Sequence, residues 1–409
     1  MTPAENHFTG EGRFGCDGVD LDRVLSEVGT PCYLYSAELV RRRFAELTGA
    51  FPGYKVCYSL KANPNPEVVR MLRELGAGAE VSSAGELRTA LDAGVEPEDV
   101  VLVGPAKTDE ETADAVRAGI HAVVVDSAEE LERVGGAARA AGRRQRVLLR
   151  VNTNEEPVTR EAMVGGPSKF GFDEEKLVDE VRGASRDGVD ITGIQVYSAS
   201  QVLDAGFLAR HFEYVADLAA RVSSELGFSP DTVDFGGGFG VRYSADDPEL
   251  DLGPVAEAAR RVRQREELAG CRLLLESGRF IVAESGVFLT RVVRVKESRG
   301  ERFIITDSGM NGFSRPVYMR VKHPIRNLTR ADGEETAKYR VCGPICTPID
   351  CLGRDVPLPE TKVGDVVGIF LAGAYGYTMS ITRFMSRGAP AEVLADRGRL
   401  TVIREAVSG

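Results

Sequence analysis

Val56-Cys57-Tyr58-Ser59-Leu60-Lys61-Ala62-Asn63-Pro64-Asn65-Pro66 decides how this chain is read: an apolar run ends at a lysine, and the two prolines that follow forbid any continuation of the strand. Lys61 is therefore expected at a strand's mouth. Burial there favours the neutral amine, the nucleophilic form that condenses with an aldehyde. An isolated lysine beside a turn is most simply a surface residue, so the rest of the chain has to decide between the two.

Outward from Lys61, short β-branched runs alternate with helix-period segments. Eight runs are expected as strands: Lys55–Leu60, Ala79–Ser82, Val100–Val103, Ala122–Val125, Arg146–Val151, Ile191–Val196, Thr232–Phe235 and Cys271–Leu275. Amphipathic stretches such as Glu67–Leu75, Glu86–Ala93, Glu110–Ala118, Ala128–Ala141 and Leu208–Leu226 lie between them. This order predicts an α/β fold, a (β/α)8 barrel over residues 36–281. After Ile281 the runs Gly286–Lys296, Arg302–Thr306, Val317–Val321, Lys338–Cys342, Asp365–Leu371, Ala391–Ala395 and Leu400–Arg404 follow without a long helix between them. They predict a C-terminal all-β, β-barrel-like domain of residues 282–409, joined by residues 1–35 through a strand at Pro31–Tyr35.

The 409 residues are 43% hydrophobic and 28% charged, with a formal net charge of -11. That sign argues against nucleic acid and anionic membranes as partners, and no apolar run approaches the roughly 18 residues of a membrane span. Met1 to Asn6 lack a basic stretch followed by an apolar segment, so the cytoplasm is the expected compartment and this polar start is expected to fray. Seven scattered cysteines do not form a disulfide framework, and Cys342-x3-Cys346-x4-Cys351 lacks the spacing of a zinc knuckle, so no metal is expected.

Barrel enzymes keep their chemistry on the loops that follow the strands. There the sequence places Lys61, Ser82–Glu86, Lys107, Asn152, Tyr197–Gln201, Gly236–Gly240 and Glu276–Arg279. The glycine run falls after the seventh strand, where backbone N–H groups commonly bind phosphate. It lacks the G-x-G-x-x-G spacing of a dinucleotide site. An amine, a phosphate cradle and a carboxylate, Glu276, together fit pyridoxal 5'-phosphate (PLP).

Tyr58–Asn63, Glu80–Leu87, Gly236–Gly240, Glu276–Arg279, Cys346–Asp350 and Gly373–Gly376 resemble, in order and over nearly the whole chain, the fold-type III PLP-dependent decarboxylases, the group of diaminopimelate and ornithine decarboxylases. The resemblance implies that Lys61 forms the Schiff base and that Glu276 holds the pyridine nitrogen protonated, favouring decarboxylation over the proton exchange of the related alanine racemases. It implies that Gly237, Gly238, Ser200 and Gly278 hold the phosphate with Tyr375. It also implies a homodimer in which Cys346 reaches in from the partner subunit as the acid that protonates the product carbon. Catalytic roles thus fall to Lys61, Glu276 and Cys346.

Two departures bear on the substrate. Diaminopimelate decarboxylases carry Glu, and ornithine decarboxylases Asp, after the motif cysteine, whereas this chain has Thr347, which cannot neutralise a distal ammonium. Arg279, Arg315 and Tyr318 match positions that grip a distal carboxylate in diaminopimelate decarboxylases, and Tyr375 is expected beside the substrate as well. Tyr197 replaces the family's ring-stacking His and can stack equally well. These features resemble a branch of biosynthetic gene clusters that includes decarboxylases of a glutamyl group on an acyl carrier protein. The expected substrate is an L-amino acid with an acidic or carrier-bound distal group, with meso-diaminopimelate as the alternative. A non-catalytic PLP-binding protein is the alternative of a different class, disfavoured because small PLP carriers lack a second domain and its cysteine.

Overall fold

Eight parallel strands close on themselves: β1 Tyr54–Ser59, β2 Gly78–Val81, β3 Val100–Leu102, β4 Ala122–Val125, β5 Gln145–Asn152, β6 Val189–Gln195, β7 Thr232–Asp234 and β8 Arg272–Ser277. The computed structural model describes residues 3–8, 14–155 and 164–409. Each strand pairs with the next, and β8 returns to β1 in the register Leu273↔Tyr54 to Ser277↔Tyr58. Such strands are covered on both faces, so they are apolar without alternation: every residue of Ala122-Val123-Val124-Val125 is buried. Cys57, Val101, Ala122, Val124, Leu148 and Leu274 form one buried cluster of this unit.

The intervening helices start where a side chain can take an orphan N–H. Ser83 accepts from Glu86 N at 3.2 Å, and Thr108 and Glu111 form a reciprocal capping box. The long helix Ala205–Leu226 is capped by Asp204 and stopped by Gly227 in the left-handed conformation. Its buried face packs Phe212 on Phe235 with ring centroids 4.9 Å apart and on Phe51 at 5.7 Å. Removing such a ring costs about 3–5 kcal/mol.

The chain divides into two compact units, Phe44–Val241 with Glu249–Gly278, and Met1–Arg43 with Arg242–Pro248 and Arg279–Gly409. In the second, strands run in the order Cys351–Leu358, Ala337–Cys342, Glu301–Thr306, Gly286–Ser298, Cys32–Ser36, Ala391–Asp396, Arg399–Arg404. Val366–Phe370 pairs with both Gly286–Ser298 and Ile325–Asn327. The core of this unit gathers Tyr33, Tyr35, Phe288, Phe313, Tyr339 and Ile369.

The structure corrects three expectations. Val317–Val321 is not a strand; a short helix, Arg315–Tyr318, stands there, because Pro316 at its first turn fixes a helical φ and lacks a ladder donor. Cys351–Leu358 is a strand although Gly353 and Pro357 argue against one, and its place at the end of the sheet order is where a proline is tolerated. Pro3–Phe8 is a helix rather than frayed chain, its Phe8 buried and stacked 5.8 Å from Phe14; residues 1–2 lie outside the described residues. Among the described residues no helix is long and apolar enough to cross a membrane.

Candidate active site

Lys61 leaves β1 in a single 3-10 turn, Leu60–Ala62, after which Asn63 is extended and Asn65 caps the helix that opens at Pro66. Nζ donates to both carboxylate oxygens of Glu80, at 2.8 and 2.7 Å. Glu80 is fully buried, and Ser82 Oγ adds a donor at 3.1 Å. Burial alone would raise the Glu80 pKa, but the Lys61 charge and these hydrogen bonds outweigh it and hold the carboxyl below its usual range. The sequence reading takes this amine out of bulk water, and the structure shows it only partly buried. The Lys61 side chain is 38% exposed and rests in an ion pair, its nitrogen 5.7 Å from the centroid of the Tyr197 ring.

Two further acids face the same mouth. Glu276 on β8 is buried and accepts from Gln195 Nε2 at 3.2 Å. Burial, then the Asp234 and Glu80 charges, push its pKa well up. Asp234, at the end of β7, is pushed up to about 6, chiefly by burial, although Gly236 N–H donates to it at 2.9 Å. Three buried carboxyls against one lysine leave a site that gains from a protonated ring nitrogen.

The glycine run is required by close approach. A Cβ on Gly237 would lie 1.8 Å from the Glu276 carbonyl oxygen, and one on Gly238, at φ +90°, 2.2 Å from that of Ala199. The amides of Gly237 and Gly238 have no partner among the described residues, as a phosphate cradle requires. Tyr197 and Ser200 share a hydrogen bond of 3.0 Å in the loop after β6. A Cβ on Gly278 would meet Ala62 Cβ at 2.7 Å, so that position abuts the Lys61 turn. Lys61, Tyr197, Ser200, Gly237, Gly238, Glu276 and Gly278 all stand on loops or ends that follow β1, β6, β7 and β8. Lys107 serves structure instead, buried against Glu130 at 3.0 Å and Asp126 at 3.6 Å.

The strand-rich unit carries a separate cationic cluster. The Arg279 and Arg315 guanidinium carbons lie 5.0 and 5.5 Å from the Tyr375 ring centroid and 6.0 and 5.2 Å from that of Tyr243. Both arginines are buried, Arg279 donates to the Tyr243 hydroxyl at 3.2 Å, and Arg315 Nε is buried without a hydrogen-bond partner. His323 packs on Tyr243 with centroids 5.0 Å apart; burial first, then the two arginine charges, push its pKa down to about 3. Tyr375 holds φ +56°, a conformation uncommon outside glycine that concentrates at binding sites. Two buried guanidiniums that meet here suit an anionic ligand.

Cys346 and Thr347 lie elsewhere in that unit, on the loop between Ala337–Cys342 and Cys351–Leu358. Asp350 pins the loop by accepting from Met310 N at 2.7 Å and Ile345 N at 2.8 Å. Cys346 is exposed. Thr347 and Tyr318 line one cavity of about 580 Å³ with Ile349 and Phe384. Sequence reasoning gave no role to Glu80, Asp234, Gln195, Tyr243 or His323. The signal was present for Asp234, a carboxylate ending an apolar strand immediately before a glycine run.

Fold and site together are those of a barrel enzyme whose strand mouth gathers an amine, three buried carboxyls and a glycine run closely packed on backbone. Residues 37–283 match the family model described as the pyridoxal-binding domain of pyridoxal-dependent decarboxylases. The chain belongs to this family of PLP-dependent amino-acid decarboxylases, whose diaminopimelate branch it resembles over nearly its whole length. It is 34% identical to a diaminopimelate decarboxylase of Aquifex aeolicus, covering 97% of this chain and 93% of the relative. It is 32% identical to the L-glutamyl-[BtrI acyl-carrier protein] decarboxylase of Niallia circulans, covering 95% and 94%. A crystal structure of M. jannaschii diaminopimelate decarboxylase in complex with L-lysine superposes with a TM-score of 0.89 at 30% identity, covering 97% of this chain and 94% of that one. Full-length likeness to named decarboxylases sets aside the non-catalytic alternative.

Proposed function

We propose that the chain releases CO2 from the α-carbon of an L-amino acid whose far end carries an acid or a carbonyl, with the residues above in the following roles. PLP, bound through its aldehyde, supplies an electron sink for the bond to the departing carboxylate. Lys61 provides the amine for attachment and Glu80 holds it ready. Glu276 keeps a proton on the ring nitrogen, Tyr197 lies against the ring, and Gly237, Gly238, Gly278, Ser200 and Tyr375 hold the phosphate. Arg279 and Arg315 take the substrate's distal oxygen atoms with Tyr318 on the same short helix as Arg315, and Thr347, next to Cys346, limits side-chain length from a second copy. Cys346 of a second copy returns a proton to the product carbon, so the reading includes a homodimer. Exposed apolar Tyr318, Ile349 and Phe384, at 53%, 53% and 51% exposure, support such an interface.

The observation that carries the substrate class is the buried Arg279 and Arg315 pair with its unpartnered Arg315 Nε. A second reading, meso-diaminopimelate, is favoured by the names of most relatives, including those of Aquifex aeolicus, Zymomonas mobilis and Helicobacter pylori. Its distal carboxylate suits the arginines, while Thr347 gives its distal ammonium no counter-ion. CO2 release measured with meso-diaminopimelate, L-lysine, L-ornithine, L-glutamate and a glutamyl-loaded carrier protein separates the two. Efficient turnover of diaminopimelate decides for the second.

A further inference from the structure

Cys342 and Cys351 stand at the neck of the loop that bears Cys346 and Thr347. They are direct partners in the antiparallel pairing of Ala337–Cys342 with Cys351–Leu358, and just inside them Gly343 N donates to Asp350 O at 3.3 Å. Opposed residues in such a pair have Cα atoms about 4.5–5.5 Å apart, within the roughly 4.4–6.8 Å that a disulfide spans. Both thiols are partly exposed.

Their chemistry is unequal. Cys351 Sγ donates to the Gly353 carbonyl at 3.3 Å, and the neighbouring Cys342 thiol first, then Arg354 and Arg340, draw its pKa down to about 7 against the effect of burial, while Cys342 is pushed up. One sulfur is therefore a nucleophile near neutral pH and its neighbour a resolving thiol. Cys351 also lines a cavity of about 680 Å³ in which Arg320, Lys322, Arg326 and Arg354 outnumber the acids Glu5 and Asp355, a balance that favours an anionic visitor.

We propose that Cys342 and Cys351 are a thiol-exchange site for small anionic disulfides such as oxidised glutathione, and that their closure staples the Cys346 loop. Cys351 thiolate attacks the disulfide and expels one glutathione thiolate. Cys342, losing its proton, then attacks the mixed disulfide and expels the second, so two protein thiols are oxidised as one glutathione disulfide is reduced to two thiols. In reducing surroundings the pair rests open.

The test equilibrates the PLP-loaded enzyme in glutathione buffers from reduced to oxidised, then alkylates and maps thiols in the tryptic segment 341–354. In oxidised buffer that segment is expected to become lighter by two hydrogen atoms and resist alkylation at Cys342 and Cys351, reversibly with dithiothreitol. The change should persist in Cys346→Ser and vanish in Cys351→Ser. Fragment mapping of the unmutated protein gives the same answer should either variant fail to fold. Amide exchange across residues 343–350 should slow on oxidation. Free thiols at both positions in fully oxidised buffer, a bridge that uses Cys346 instead, or unchanged exchange overturns the proposal.

Discussion

The barrel mouth and the arginine cluster of the strand-rich unit are electrical opposites. Around Lys61 stand three buried carboxyls, Glu80, Asp234 and Glu276, and burial together with mutual repulsion lifts two of them. Around Tyr243 and Tyr375 stand two buried guanidiniums that help hold a histidine neutral. Each region gathers buried charge mainly of one sign, which ordinary packing does not explain. A site built this way binds what completes it and is costly to keep empty.

The strongest way to break the contrast is Lys61→Ala, expected to lower kcat by roughly 10³-fold or more and to abolish borohydride-trapped label at that position. Label recovered on another lysine would refute the role given to Lys61. Glu276→Ala is expected to keep the bound-cofactor absorbance while turnover falls roughly 10²–10³-fold; an unchanged rate would remove the acidic mouth's part in the chemistry. On the cationic side, Arg315→Met should raise KM for the true substrate by about 10–100-fold with a smaller change in kcat. Steady-state kinetics giving the reverse split would place Arg315 outside the binding pocket.

The barrel strands were legible in the sequence because a strand buried on both faces reads as an uninterrupted β-branched run; Ala122–Val125 has the same bounds in both readings. Cys351–Leu358 and Ile325–Asn327 were not, since a short or terminal strand is held by its neighbours rather than by propensity. Lys61 and Gly236–Gly240 were readable because a local rule places them, a breaker after a strand or a glycine beside a carbonyl. Tyr243 and His323 matter through Arg279 and Arg315, which lie 36 residues or more from Tyr243 and, for Arg279, far from His323 along the chain, and no local pattern announces such a meeting.

The smallest effects sharpen the comparison through acid. Asp234, raised from 3.8 to about 6, binds its proton more tightly folded than unfolded, so it destabilises the cofactor-free protein progressively as pH rises through that window. Asp234→Asn should then raise Tm at pH 8, by at most roughly 3 kcal/mol of stability, and leave it unchanged at pH 3. His323 is lowered from 6.5 to about 3, so the unfolded chain takes the proton first and stability is lost as pH falls through that window. His323→Gln should flatten the acid limb by about 1.4 kcal/mol per pH unit. Melting curves with the two slopes of equal sign would contradict the opposition.

Arg242–Pro248 belongs to the strand-rich unit although its neighbours on both sides in the chain belong to the barrel. Neither unit is therefore a modular cassette. A clone trimmed to residues 44–278 would carry Tyr243 without Arg279, Arg315 or His323, and a fusion that grafts the C-terminal part onto another barrel would leave those cations short of an aromatic wall. Engineers wishing to recombine this scaffold must move that seven-residue detour together with the C-terminal part.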